Sequence, residues 1–428
     1  MKPNYTILSL IFGIALFAMF FGAGNFVLPP FIGYNVGEYW LEAIIGFAIS
    51  GILFPFLGIL AVVKYGKNFS DLGERVNPLL TTVLSIIIIL CIGPFVAIPR
   101  TGAIVYESAI KPIYEPSTPI WTSIIYFTFV FIFSLSPRKL VDILGKFITP
   151  ILLILLIILI VLGFVNSDEV SATTLNSSLD AINYSFNEGY QTMDVLASVF
   201  FAGILINAAR NKGYVSVKEK NKIVVGAASI SLVLLLVVYG SLIYLGAHLN
   251  GLSSDVTSND VLMHIANNAL GENGIYLFSL AMLLACLTTS VALTAAFAYF
   301  FARLTNDRMG YYEGVIICTI ISIVLSISSF DEIISYTSNL LMFIYPIIIV
   351  MILFVLLFGD FIDSRRPYLY TVLVTAIVSF IVVLSNSNYQ GSQLKELVSY
   401  MPLKNQNLEW LLPAIIVFVL TSFFYRKR

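Results

Sequence analysis

Apolar residues gather into twelve runs of roughly membrane-spanning length, and the short polar segments between them hold almost all the charge. A spanning helix takes about 20 mainly apolar residues. On that measure the first six runs lie near Ile7–Leu28, Trp40–Val63, Leu79–Ser108, Pro119–Leu135, Leu140–Val165 and Tyr190–Ala209. The second six lie near Lys222–His248, Gly274–Arg303, Gly314–Ser328, Glu332–Phe358, Leu369–Leu384 and Leu408–Tyr425. A closed barrel would give shorter, alternating segments, so these runs predict helices. The expectation is an all-α integral membrane protein of twelve transmembrane helices without a soluble domain. The longest stretches between runs, Asn166–Gly189 and Asn250–Asn273, read as polar connectors.

Charge orients the runs. With the N-terminus inside, nineteen of the 23 Lys and Arg residues fall in inner segments. Only Lys111, Lys395 and Lys404 fall outside, and Arg100 lies within a run. Excess Lys and Arg mark cytoplasmic loops, so both termini are expected in the cytoplasm. Composition agrees: of 428 residues 59% are hydrophobic and 11% charged, where soluble domains carry about a quarter charged. The first run is followed by no small-residue cleavage site and reads as a span rather than a signal. Cys91, Cys286 and Cys318 sit inside apolar runs without disulfide or metal spacing. No phosphate-cradling glycine loop appears, which argues against ATP-driven pumping. No His–acid cluster or base-activated nucleophile supports an embedded enzyme. A channel is the other class to separate, by its uncoupled flux. No nucleic acid or obligatory protein partner is expected beside the lipid bilayer.

Several features inside the runs are costly enough to need a reason. "FFGAGNFVLPPF", residues 20–31, places two glycines, Asn25 and two prolines in the first run. Freed backbone groups at membrane depth need protein, water or ligand to complete their hydrogen bonds. A broken helix near the midplane is therefore a pointer to a transporter binding site, while Pro29–Pro30 alone would be an ordinary kink. In the eighth run Ala285, Thr288 and Thr289 share one helical face, offering oxygens to a hard cation or simply packing against a neighbour. Asp194, in "GYQTMD", has no basic residue nearby in sequence; a bound cation or a substrate ammonium would partner it. Arg100 and Glu107 stand two turns apart in the third run, which fits a structural ion pair at least as well as substrate contact. His248 and His264 are expected as exposed loop histidines. Trp40, Trp121 and Trp410 fall at outer ends, where interfacial anchoring explains them.

"FFGAGNFVLPPFIG", "GPFVAIPRT", "GYQTMD…INAAR" and "LACLTTS", in this order along nearly the whole chain, resemble the bacterial branched-chain amino acid carriers. These are leucine/isoleucine/valine:cation symporters of the amino acid–polyamine–organocation superfamily. The resemblance implies a LeuT-type 5+5 inverted repeat with helices 1 and 6 discontinuous, plus two appended helices. The first repeat would be residues 1–165, the second 166–358, and the appended helices 359–428. It further implies import of Leu, Ile or Val with sodium by alternating access, in a bacterial inner membrane and without an organic cofactor. Proton coupling and another small neutral amino acid are the alternatives.

Carried over by position, the resemblance puts Phe20, Gly22, Ala23, Gly24 and Asn25 at the substrate. Thr192, Met193, Asp194 and Ser198 join them from the sixth run, whose unwound part is expected near Leu196–Phe201. Sodium would be ligated by the Ala18, Phe21 and Ala285 carbonyls and the Thr288 and Thr289 hydroxyls. Asp194 departs from the sodium-coupled pattern, where a neutral residue is usual. No basic residue stands in 147–164, where some proton-coupled relatives carry a lysine.

Overall fold

The computed structural model describes residues 4–65, 69–73, 75–136, 140–171, 175, 177–250, 256–271, 274–306, 308–386 and 392–425. No strand occurs among them. Seven of the basic residues that orient the chain (Lys2, Lys67, Arg138, Lys139, Arg426, Lys427 and Arg428) lie outside the described residues.

The first apolar run forms two helices, α1 (Tyr5–Phe20) and α2 (Ala23–Val36). After them come α3 (residues 40–65), α4 (Pro78–Ile110), α5 (Pro119–Ser134) and α6 (Leu140–Val165). The second half holds α7 (Ser178–Glu188), α8 (Asp194–Asn211), α9 (Val217–Ala247), α10 (Ser258–Leu270) and α11 (Gly274–Leu304). The last elements are α12 (Tyr311–Leu325), α13 (Phe330–Phe358), α14 (Arg365–Asn386), α15 (Ser392–Ser399) and α16 (Leu411–Tyr425). Among the described residues eight helical stretches are long and apolar enough to cross a membrane, and four shorter apolar helices accompany them.

Burial separates an inner set of helices from an outer one. The most apolar window of α11 is 83% buried, that of α6 only 33%. Exposed Ile151, Ile154, Ile157 and Val161 cover the outer face of α6, as expected of a surface solvated by lipid. Where helices meet, small residues let backbones approach. A Cβ at Gly246 of α9 would lie 1.9 Å from the Pro30 carbonyl oxygen of α2, so these two helices pack backbone to backbone.

The two stretches expected as polar connectors each contain a helix. α7 packs along the first part of α3. α10 opens on a capping box, with Thr257 and Asp260 bonding each other's backbone N–H. The histidine expectation also changes. His248 is buried at the end of α9, with Nδ1 2.8 Å from the Tyr244 carbonyl oxygen. Its ring stacks on Tyr244 at 3.8 Å. Trp121 is exposed, whereas Trp410 is buried and so does not sit at the surface as an anchor.

Short polar pairs pin helix ends. Lys64 lies 2.7 Å from Asp360, and Tyr65 donates to the same carboxylate at 2.9 Å. Those two partners hold the Asp360 carboxyl below its ordinary range. Asp142, at the start of α6, forms ion pairs with both Lys146 and Lys212.

Candidate functional site

α1 ends at Phe20, and Gly22 is extended (φ −113°, ψ −158°) before α2 begins at Ala23. Gly22 is required here. A Cβ on it would meet Thr289 Oγ1 and Cγ2 of α11 at 2.8 Å. The first backbone N–H groups of a helix lack intrahelical partners, and among the described residues no side chain caps those of α2.

The second break follows α7. One tight turn, Gly189–Thr192, leads to Met193 in the left-handed region (φ 61°, ψ 13°), and α8 starts at Asp194. A side chain in that region costs on the order of 1 kcal/mol. Thr192 braces the turn: its hydroxyl donates to the Gly189 carbonyl at 2.8 Å and accepts the Asp194 N–H at 3.3 Å. The unwound part is therefore not at Leu196–Phe201, which is regular helix. A glycine or proline signal is missing because the chain turns on a left-handed methionine.

The two breaks face each other across a buried cavity of about 30 Å³. Phe20, Gly22, Ala23, Gly24, Asn25, Thr192, Met193 and Asp194 all line it. Ser198 does not. Its hydroxyl donates to the Val195 carbonyl at 2.7 Å, and it abuts Gly58 of α3.

Asn25 joins the two broken helices. Its Nδ2 donates to Asp194 Oδ2 at 2.5 Å and also to the Tyr239 hydroxyl of α9. Both amide protons are thus used. Tyr239 is itself in hydrogen-bonding contact with Asp194, which leaves a buried carboxylate held by Asn25, Thr192 and Tyr239. No salt bridge to Asp194 forms among the described residues. Such a carboxylate favours a cationic guest.

Beside the cavity, α1 meets α11 through an oxygen cluster. The Thr288 hydroxyl lies 2.9 Å from both the Ala18 and Ala285 carbonyl oxygens, and Thr289 donates to Ala18 at 3.1 Å. The structure thus brings Ala18, Ala285, Thr288 and Thr289 together. The Phe21 ring packs on Phe17 at 5.2 Å, Phe26 at 5.3 Å and Tyr239 at 6.0 Å, and its N–H donates to the Phe17 carbonyl at 2.8 Å.

Arg100 enters the cavity from α4, which bends at Gly93 (φ −92°, ψ −126°) and Pro94. Its Nη1 donates to the Gln191 carbonyl at 2.8 Å, and the guanidinium lies over the Phe330 ring at 4.9 Å. It does not pair with Glu107, whose Oε1 accepts the Phe330 N–H at 3.0 Å. Sequence reasoning passed over the polar residues Tyr239 and Thr101, and the apolar lining residue Phe201. A tyrosine in mid-run, in "VVYGS", was the available signal for the first.

The cavity lies between two helix breaks, the kind of place where membrane transporters bind their substrates. Solved transporter structures share the all-helical fold. The chain matches Mhp1, a nucleobase-cation-symport-1 family transporter, with TM-score 0.59 at 15% identity, over 97% of this chain and 93% of that one. A Na⁺-coupled sialic acid symporter matches with TM-score 0.62 at 13% identity (97% and 90%). A manganese transporter of Eremococcus coleocola matches with TM-score 0.64 at 15% identity (96% and 95%). Sequence narrows the class. The family model for branched-chain amino acid transport proteins matches residues 6–428, and the chain belongs to that family. A branched-chain amino acid carrier of Staphylococcus saprophyticus is 33% identical over 426 residues, 96% of this chain and 94% of the relative. One of Staphylococcus aureus is 32% identical over 430 residues (96% and 95%). The protein is accordingly a multi-pass membrane carrier, of a family of transporters and not of enzymes.

Proposed function

We propose that the protein imports leucine, isoleucine or valine in symport with sodium by alternating access. The observation that carries this reading is the convergence of both helix breaks on one buried cavity holding Asp194, beside an oxygen cluster that ties α1 to α11. In this reading Asp194, with Asn25, Thr192 and Tyr239 around it, receives the substrate ammonium. Phe20, Met193 and Phe201 surround the branched side chain. A cavity of about 30 Å³ has room for no more than a few waters, so the site must open to admit an amino acid.

The donor set fits sodium. Its oxygens are neutral, and the threonine hydroxyls can turn their protons away to offer lone pairs; oxygen ligands suit hard cations. The ion would be held by the Ala18, Phe21 and Ala285 carbonyls with Thr288 and Thr289, and its charge would tie the inner half of the first span to α11. A proton is the second reading, favoured by the buried carboxylate of Asp194 among neutral donors.

The architecture we propose has twelve crossings. α1 with α2 makes the first and α7 with α8 the sixth, so the two breaks fall at corresponding places in two halves, 1–165 and 166–358. Residues 359–428 supply two appended crossings. Both termini are cytoplasmic and the membrane is the bacterial plasma membrane. The test is uptake of labelled leucine into proteoliposomes. We expect accumulation that requires an inward sodium gradient. Uptake that ignores sodium and follows a pH gradient would move the coupling to a proton.

A further inference from the structure

One charged group in the cavity wall has no part in the transport reading above. Arg100 is 2% exposed, yet its Nε and Nη2 have no hydrogen-bond partner among the described residues. A buried guanidinium carries five N–H donors and keeps its charge, so two orphan nitrogens at a cavity wall are a large cost. The acids whose charge it feels most are Glu188 and Asp331, and neither satisfies those atoms.

Two neighbouring features define the missing partner. Nη2 lies 3.2 Å from the point where a Cβ on Gly24 would stand, which sets it against the first turn of α2. That first turn is uncapped, and α2 is fourteen residues long. Free N–H groups and the positive end of the helix dipole favour an anion there. The guanidinium is set against Gly24 of the helix end, and Asn25 of the same turn holds Asp194. A group that suits anions and one that suits cations thus line the same cavity.

We infer that Arg100 is the charged anchor of the substrate carboxylate, completing with Asp194 a clamp that selects zwitterionic amino acids. This rests on the amino-acid reading above and adds the residue that recognises the acid end. Arg100 is already held in place, with Nη1 on the Gln191 carbonyl and the guanidinium 4.9 Å from the Phe330 ring centre. Because Gln191 belongs to the turn before Met193, binding a carboxylate would also bias the second helix break. Gly24 is the position that keeps the approach open.

The experiment is titration calorimetry on the purified full chain with leucine, leucinamide, leucinol and 4-methylpentanoate, in sodium buffer. Wild type should bind leucine at least about tenfold more tightly than leucinamide or leucinol, given the strength of charge-assisted hydrogen bonds. R100Q should weaken leucine about 10- to 100-fold and leave leucinamide within about threefold, so that discrimination collapses. R100K should fall between them, since lysine keeps the charge but loses the planar fork. Equal wild-type affinity for leucine and leucinamide would overturn the inference without any variant. So would R100Q that keeps leucine affinity within about twofold, or that loses leucine and leucinamide together while its thermal unfolding is unchanged, the behaviour of a structural prop. If R100Q does not fold, the wild-type panel and R100K decide. Wild type that binds none of the branched-chain compounds sinks the amino-acid reading itself, a failure seen before any variant is made.

Discussion

Asn25 donates to the Asp194 carboxylate at 2.5 Å across 169 positions of sequence, joining the first helix break to the second. Each partner is polar and buried, and each would be expensive alone at membrane depth. Together they make a polar bridge that spans both breaks. Asp194→Asn keeps the shape and removes the charge that would meet an ammonium. We expect leucine uptake to fall at least about tenfold with little change in thermal unfolding, since one charge-assisted bond is worth about 1.5–3 kcal/mol. Uptake near wild-type level in D194N would show that the ammonium is held elsewhere.

Thr288→Ala combined with Thr289→Ala removes both hydroxyls from the Ala18 contact. The sodium concentration for half-maximal uptake should rise at least about fivefold, well beyond the change in leucine KM, because oxygen ligands and not substrate contacts are lost. Measured sodium dependence identical to wild type would make this face ordinary helix packing.

Gly22→Ala tests the close approach of α1 and α11. The new methyl would sit 2.8 Å from Thr289 Oγ1, and neither the extended backbone at 22 nor α11 can yield cheaply in a packed interior. Overpacking of this kind costs about 1–3 kcal/mol. We expect a lowered unfolding temperature and transport reduced at least about tenfold, read by scanning fluorimetry and uptake.

Ser198→Ala is the contrasting case. Its hydroxyl bonds within its own helix and faces Gly58, so leucine KM should change by less than about twofold. A large selective loss of leucine affinity in S198A would mean that α8 rotates during transport and presents this face to the substrate.

Glu107→Ala removes the acceptor of the Phe330 N–H at the start of α13. Losing a helix N-terminal partner costs about 1 kcal/mol, so stability should drop while the preference for leucine over leucinamide is kept. Collapse of that preference would tie Glu107 to Arg100 after all.

Much of the site is legible in the sequence because membrane depth makes polarity conspicuous. Gly22, Gly24, Asn25 and Asp194 interrupt apolar runs, and lipid offers nothing to satisfy them. Thr288 and Thr289 are legible as one face of a helix. The second break lies earlier than its expected place because its turn is Met193, a residue with no local preference for the left-handed region. Its conformation comes from Thr192, which bonds to the turn on either side. Arg100 and Glu107 look like a pair because they share a helical face. In the tertiary structure the Phe330 N–H takes Glu107 while the Arg100 guanidinium lies over the Phe330 ring and donates to Gln191.

By itself the sequence determined the solvent of this protein, the helical character of its apolar runs and the break in the first of them. Those follow from local cost: apolar length, charge placement and glycine are properties of neighbours along the chain. Only the tertiary structure decided which polar residues meet. Asn25 with Asp194 and Tyr239, Thr288 with Ala18, and Arg100 with the bare end of α2 are contacts between distant segments. Their geometry depends on how closely packed helices let backbones approach, a quantity that no single run of residues contains.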